Sequence, residues 1–366
     1  MSTKLLAGTS KGLIVFINSV NNDWKIAEVY FIGLPVSFIY VDERTHTWWV
    51  GISHRHWGEK LHFSLDEGKS WQEANIPDFK NYFYRCDKPA TLKKLWTMQH
   101  AGVDKPGCLW LGTEPGGLFF SNDYGKSWEL TESLWNHPSR LNDNQWFGAG
   151  KDFPFIHSII TDPRNSDHVY IGVSCAGVFK TTDGGKSWQP KNKGLVAAYL
   201  PNPNAEVGHD PHRVLLCTIN PDVLWQQNHC GIFRTCNGGE SWDDVSGENK
   251  FPYYGFALAI DEQDTETAWV IPVQSDEIRI PFELKLTVCK TTNGGKNWTS
   301  INQGLPASNT FDLVLRHAFV KHKKTIAFGT NNGNLYISDN VGESWQLISH
   351  NISTVNCLVF SYSVGV

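Results

Sequence analysis

The sequence predicts an all-β protein, a seven-bladed β-propeller of four-stranded antiparallel blades, on three observations. The pattern Ser/Thr-x-Asp/Asn-x-Gly-x-Ser/Asn-Trp occurs six times, at 64–71, 121–128, 181–188, 235–242, 291–298 and 338–345. A seventh, degenerate copy (INSVNNDW, 17–24) keeps Trp24 but has Ser19 where the others carry Asp or Asn. Successive tryptophans of the pattern lie 47 to 60 residues apart, the length of one four-stranded unit, so seven units fill the 366 residues. Each full copy also follows a short apolar run, such as GGLFF, AGVFK, CGIFR or GNLYI, which reads as a strand entering a tight turn.

The pattern has a physical reading. Asp or Asn in the turn accepts hydrogen bonds from nearby backbone N–H groups, and Gly supplies the positive φ. The Trp then packs from the next strand between neighbouring units. Within the third full unit, FPFIHSIITDP (153–163) is the inner strand and HVYIGV (168–173) the second. GVFKT (177–181) is the third and SWQPK (187–191) the outer strand. The first unit starts at its second strand, with KLLAGTS, GLIVF and DWKIAEVY in succession. The tail ISTVNCLVFSYS (352–363) has no turn motif after it and supplies the missing strand, so the ring closes by pairing the C-terminal strand with the N-terminal blade. Residues 1–366 form a single domain on this reading.

Composition narrows the function. With 40% hydrophobic and 19% charged residues the chain can build a large core, which excludes wholesale disorder. A net charge of −5, from 32 basic and 37 acidic residues, leaves no footprint for nucleic acid or an anionic membrane. No apolar run reaches 18 residues, and the first residues lack the basic start, apolar stretch and cleavage site of a signal peptide. The eight cysteines form no CxxC pair and read as reduced thiols, consistent with a cytoplasmic location.

Antiparallel connectivity places the loops between second and third strands on one face of the ring, with the starts of the inner strands. The turn motifs fall on the other face. The first face carries SHRHWGE (53–59), TEPGG (113–117), SCAG (174–177), QQNHCG (226–231) and QSDEIRIPFEL (274–284). Long connections at 129–153 and 190–208 could fold over it as lids. This face is the expected site, at one mouth of the channel. Glu114, Asp276 and Glu277 are the acid, base or nucleophile candidates of a glycosidase-type carboxylate pair, with structural ion pairing to Arg279 or Arg316 as the competing role. Arg279 and Arg316 would hold an anionic group. His56, Trp57, His157, His209, His212, Gln227 and His229 would contact the ligand. His56, His157, His212 and His229 are also the candidates for a divalent metal ion, against the plainer reading of a polar channel lining. Cys175 and Cys230 read as thiolate nucleophiles or as small residues at crowded turns.

The 16 tryptophans divide along the same lines. Seven belong to the repeated pattern, and Trp49, Trp110, Trp225 and Trp269 share one position in the second strand, where Tyr170 replaces them in another unit. Trp48 and Trp96 read as core. Trp57, Trp135 and Trp146 remain as platforms for stacking on a sugar.

The turn motif is similar to the Asp-box, or BNR repeat. HWGEKLHFS (56–64), GTEPGGLF (112–119), GVSCAGVFKTTDGGKSW (172–188), QQNHCGIFRT (226–235), VIPVQSDEIR (270–279) and GLPASNTFDLVLRH (304–317) resemble a bacterial family of stand-alone Asp-box propellers, called glycosyl hydrolase, BNR repeat or sialidase-like proteins. The resemblance implies a seven-bladed fold and a glycoside hydrolase-like enzyme acting on a glycan or related polyhydroxylated ligand. Sialidases carry Arg-Ile-Pro before their first box, whereas Arg279-Ile280-Pro281 lies between the fourth and fifth full boxes here. The alternative is a non-catalytic ligand-binding or protein-interaction propeller using the same face.

Overall fold

The computed structural model describes residues 3–18, 23–85, 88–141, 145–148 and 150–362. Ser19 and its neighbours in the degenerate motif, Cys86, and parts of the 129–153 connection lie outside these residues.

The turn motifs explain why each chain segment doubles back. Asp66 accepts hydrogen bonds from the Ser70 amide and hydroxyl at 2.8 and 2.6 Å and from the Ser64 hydroxyl at 2.8 Å. Asp123 and Asp183 repeat the arrangement. In the units with Asn, the side-chain oxygen of Asn237, Asn293 and Asn340 takes the equivalent backbone N–H at 3.0 Å. At Gly125, Gly185 and Gly342 the motif glycine rests on the second-strand tryptophan of the preceding unit, Trp49, Trp110 and Trp269. At Gly125 (φ 76°) a Cβ would stand 2.6 Å from the Trp49 ring, so both the backbone angle and the close approach require glycine. The motif tryptophans tie neighbouring units together: the indoles of Trp128, Trp242 and Trp298 donate to Asn75, Lys191 and Val245 carbonyls at 3.0, 2.8 and 2.8 Å.

Between the turns the strands pair as four-stranded antiparallel sheets. Five stand separately, led by Val36–Asp42, Lys94–His100, Ile156–Thr161, Pro211–Leu216 and Gly255–Ile260. In the third full unit the strands are Ile156–Thr161, Val169–Val173, Gly177–Thr181 and Gln189–Pro190, in the expected order. The remaining strands make one eight-stranded sheet. Its first half is Val314–His322, Thr325–Thr330, Leu335–Ser338 and Gln346–Ser349. In its second half the late strand Val355–Tyr362 pairs antiparallel with Thr3–Thr9, from Thr3 opposite Tyr362 to Thr9 opposite Val355. The two halves touch through a parallel bridge between His317 and Cys357.

Trp49, Trp110, Tyr170, Trp225 and Trp269 are all at most 4% exposed, as their shared second-strand position predicts. The connection at 129–153 carries two short helices, Glu132–Trp135 and Pro138–Leu141, and a small hairpin of Phe83–Arg85 and Lys88–Pro89 occupies another connection. No described helix is long and apolar enough to cross a membrane.

The leading strands surround a cavity of about 300 Å³, lined from six of them by residues that include Tyr40, Gln99, His157, Arg213, His317 and Cys357. Burial pulls the Arg213 guanidinium down to about 10, and among the described residues its Nε has no hydrogen-bond partner.

Candidate functional site

One irregularity recurs in every leading strand. The pairing register slips between Val36 and Phe38, Leu95 and Thr97, Ile156 and Ser158, Pro211 and Arg213, and Gly255 and Ala257. Corresponding slips lie between Val314 and Phe319 and opposite Gly8 and Thr9. A β-bulge leaves one residue out of the ladder and re-aims its side chain. The residues thus released include Trp96, His157, His212, Phe256 and Arg316. Five sheets therefore each contribute a bulged residue near the start of a leading strand.

Two groups of ionisable residues gather around these bulges. In the first, Trp96 donates its indole N–H to Glu114 Oε2 at 3.2 Å. The Lys94 ammonium sits 4.0 Å from the Trp96 ring centroid. Glu59 accepts from Ser53 Oγ at 2.5 Å and from the Leu95 amide at 3.1 Å. Burial raises the Glu59 carboxyl above its ordinary range; the charge on Glu114 adds to this, and the two hydrogen bonds and Lys94 oppose it. Burial, with Lys151 nearby, pulls Lys94 down to about 8 against the pull of Glu114 and Glu59.

A stack of rings and a cation runs from this group to the second. Trp96 lies against Phe155, whose ring is 5.2 Å from the Arg316 guanidinium. Arg316 in turn lies 5.1 Å from the Phe256 ring, and Phe256 stacks on His212 at 4.6 Å. Among the described residues Arg316 joins no ion pair, and its buried Nε lacks a hydrogen-bond partner. Burial lowers its pKa, with Asp210 and Tyr254 acting the other way.

The second group centres on Asp210. Its Oδ1 accepts from Ser174 Oγ at 2.7 Å and the Cys175 amide at 3.2 Å. Its Oδ2 faces His212 Nε2 at 3.3 Å and His229 Nδ1 at 3.6 Å. The other nitrogen of His229 lies 3.3 Å from Asp276 Oδ2, and His212 Nδ1 lies 2.6 Å from the Gly255 carbonyl. Burial alone would raise Asp210, but His212, His229 and Arg316 overcome it and hold the carboxyl well below its usual range.

The structure separates most of the remaining candidates from these groups. Glu277 is exposed and, among the described residues, has no hydrogen bond or ion pair. Arg279 reaches the second group through its Nε, which donates to the Asp276 carbonyl at 2.9 Å, and lies 5.4 Å from the Phe256 ring. His56 and Trp57 sit on an exposed turn, where their amides donate to His54 Nδ1. Of the four histidines read as metal ligands, only His212 and His229 converge. His157 is buried against Ser158 at 2.9 Å, and its carbonyl accepts from His317. His209 is held by the Ala205 carbonyl at 2.6 Å. The Gln227 amide donates to the Asn228 and Gly231 carbonyls of its own loop and to the Tyr253 carbonyl of the following connection, which ties it to backbone. Trp135 and Trp146 are corrections to the stacking assignment: at 3% and 2% exposure they pack the connection, one under Arg140 at 3.5 Å and one donating to Ser139 at 3.0 Å. Burial pushes the Cys175 and Cys230 thiols up, away from a thiolate.

Glu59, Lys94, Trp96, Phe155, Asp210, Tyr254 and Phe256 were absent from the candidates. Most of them could have been found by aligning the starts of the leading strands, where His157, His212 and Arg316 already stood out.

The architecture is that of the propeller class. No family profile matches the chain. It is similar to the xyloglucanase Xgh74A of Acetivibrio thermocellus, at 26% identity over 262 residues, 65% of this chain and 28% of that one. It is similar also to an oligoxyloglucan-reducing end-specific xyloglucanase of Emericella nidulans, at 23% identity over 223 residues, 53% and 26% of the two chains. The chain thus spans about a quarter of the length of the curated relatives it matches. Among solved structures, a GH74 enzyme from Niastella koreensis superposes with a TM-score of 0.63 at 15% identity, over 95% of this chain and 52% of that one.

Proposed function

We propose that the four-stranded units are the blades of a closed seven-bladed propeller, and that the bulged face is the mouth of its channel, where a glycoside hydrolase-like enzyme acts on a glycan. The observation that carries this reading is the pair Glu59 and Glu114. One carboxyl is raised by burial and suits a general acid, the other accepts from Trp96, and a half-buried indole lies beside them. The similarity to xyloglucanases supports the same substrate class. Arg316, without an ion pair among the described residues and flanked by two aromatic rings, suits an acidic group on the ligand. Asp276 belongs to the second group, with His229, rather than to the carboxylate pair.

The test is hydrolysis of a panel of neutral and uronic acid-containing oligosaccharides, xyloglucan fragments included, by the full chain and by Glu59→Gln and Glu114→Gln. Loss of a general acid or base lowers kcat by about 10²–10⁴-fold. Turnover that survives both substitutions would defeat the carboxylate mechanism. Binding without turnover by the parent would favour the non-catalytic reading.

A further inference from the structure

We infer that Asp210, His212 and His229 form a binding site for a divalent first-row transition ion, zinc by preference. The inference stands apart from the glycan reading, because it uses none of the atoms of Glu59 or Glu114.

The argument begins with which atoms are free. A carbonyl oxygen only accepts, so the 2.6 Å contact with Gly255 places the His212 proton on Nδ1. In the neutral ring, Nε2 then presents a lone pair towards Asp210 Oδ2, 3.3 Å away. Two lone pairs facing each other at that distance repel until a proton or a metal ion stands between them, so the contact is a place where either can sit. His229 faces a carboxylate at each nitrogen, Asp276 Oδ2 at 3.3 Å from Nε2 and Asp210 Oδ2 at 3.6 Å from Nδ1. In the tautomer that donates to the nearer Asp276, its Nδ1 lone pair is turned to the same Asp210 oxygen as that of His212.

Each of the three groups is also held from behind. A backbone carbonyl orients His212, a carboxylate orients His229, and the Ser174 hydroxyl with the Cys175 amide occupies the far oxygen of Asp210. Such outer partners fix the tautomer and aim of metal-binding histidines. Their three inward atoms all lie within 4.8 Å of one another. Ligands about 2.1 Å from a tetrahedral ion stand about 3.4 Å apart, which the two spacings to Asp210 Oδ2, 3.3 and 3.6 Å, match closely. Imidazole nitrogen with a single carboxylate suits zinc and its neighbours rather than calcium or magnesium. Three protein ligands leave coordination positions open, as catalytic rather than structural zinc sites do.

A further observation points to a missing partner. Among the described residues the buried Tyr254 hydroxyl has no hydrogen-bond partner, and the Tyr254 ring lies 5.5 Å from that of His212 and 5.3 Å from that of His229. A water on the ion would give that hydroxyl an acceptor or donor.

The experiment is zinc titration of the chelator-treated full chain, read by calorimetry and by metal analysis after dialysis. One equivalent is expected, with a rise in melting temperature. His229→Ala, at a partly exposed position, should lose that equivalent while keeping the far-ultraviolet spectrum of the parent. Asp276→Asn should weaken binding by about 10–100-fold, the usual effect of removing an outer-shell carboxylate. His56→Ala should leave the stoichiometry unchanged. Failure of the parent to retain zinc, or equal retention by folded His229→Ala, would overturn the assignment.

Discussion

Trp96 lies flat against Phe155, with ring centroids 4.1 Å apart and planes within 10° of parallel, while its indole N–H reaches Glu114. One bulged residue thus joins an aromatic platform to a carboxylate. The two roles of its indole can be separated by substitution. Trp96→Phe keeps a ring on Phe155 but removes the donor to Glu114. Hydrogen bonds to charged groups contribute about 1.5–3 kcal/mol, so kcat/KM on the best substrate of the panel should fall about 10–100-fold. Trp96→Ala should raise KM as well. Parent-like kinetics in the Phe variant would show that the N–H takes no part.

Glu59 makes a pH-dependent prediction. A carboxyl whose folded value is raised stays protonated where the unfolded chain has already ionised, near pH 4.3. Its contribution to stability is therefore complete below that value and is lost as pH rises through the folded one. Glu59→Gln, which never ionises, should melt near the parent temperature at pH 4 and above it at pH 8. Calorimetric scans across that range check this, and a gap that opens in the parent's favour at high pH would contradict it.

The turn-motif aspartates act in the opposite sense. Hydrogen bonds from Ser70, Ser127 and Ser187 lead the causes that hold Asp66, Asp123 and Asp183 at about 2. Their stabilising effect is present above the unfolded value of about 3.9 and disappears as pH falls towards 2. Asp183→Asn should keep the turn, since Asn237, Asn293 and Asn340 fill that place elsewhere. Its urea midpoint should fall less between pH 4 and pH 2 than that of the parent. Equal acid sensitivity in both would exclude Asp183 as a contributor.

The repeat made the sheets legible because one turn motif and one tryptophan recur at the same place in every unit. Strands such as Gly177–Thr181 fall where the spacing puts them. The site was harder to read, since its residues come from single bulged positions in different sheets. His212 and Arg316 stand out by residue type, whereas Trp96 reads as core. Asp210 sits between His209 and His212 in the sequence, yet its role depends on Ser174 and His229 from other loops. Trp135 and Trp146 show the reverse: a place in a long connection says nothing about whether a ring faces water or packs beneath it.

The strand pairing between Thr3–Thr9 and Val355–Tyr362 also bears on the order in which the chain can fold. Ser10 and Ser353 share a hydrogen bond across 343 residues of sequence. During synthesis the strand Thr3–Thr9 lacks a partner on one edge until Val355–Tyr362 has been made. The intervening units can form from local contacts, but this contact carries the loop-closure cost of nearly the whole chain and slows the final step. Until then an unpaired backbone edge is open to other chains. Circular permutation that links Val355–Tyr362 directly to Thr3–Thr9 and opens the chain at an exposed turn would turn this step into a hairpin.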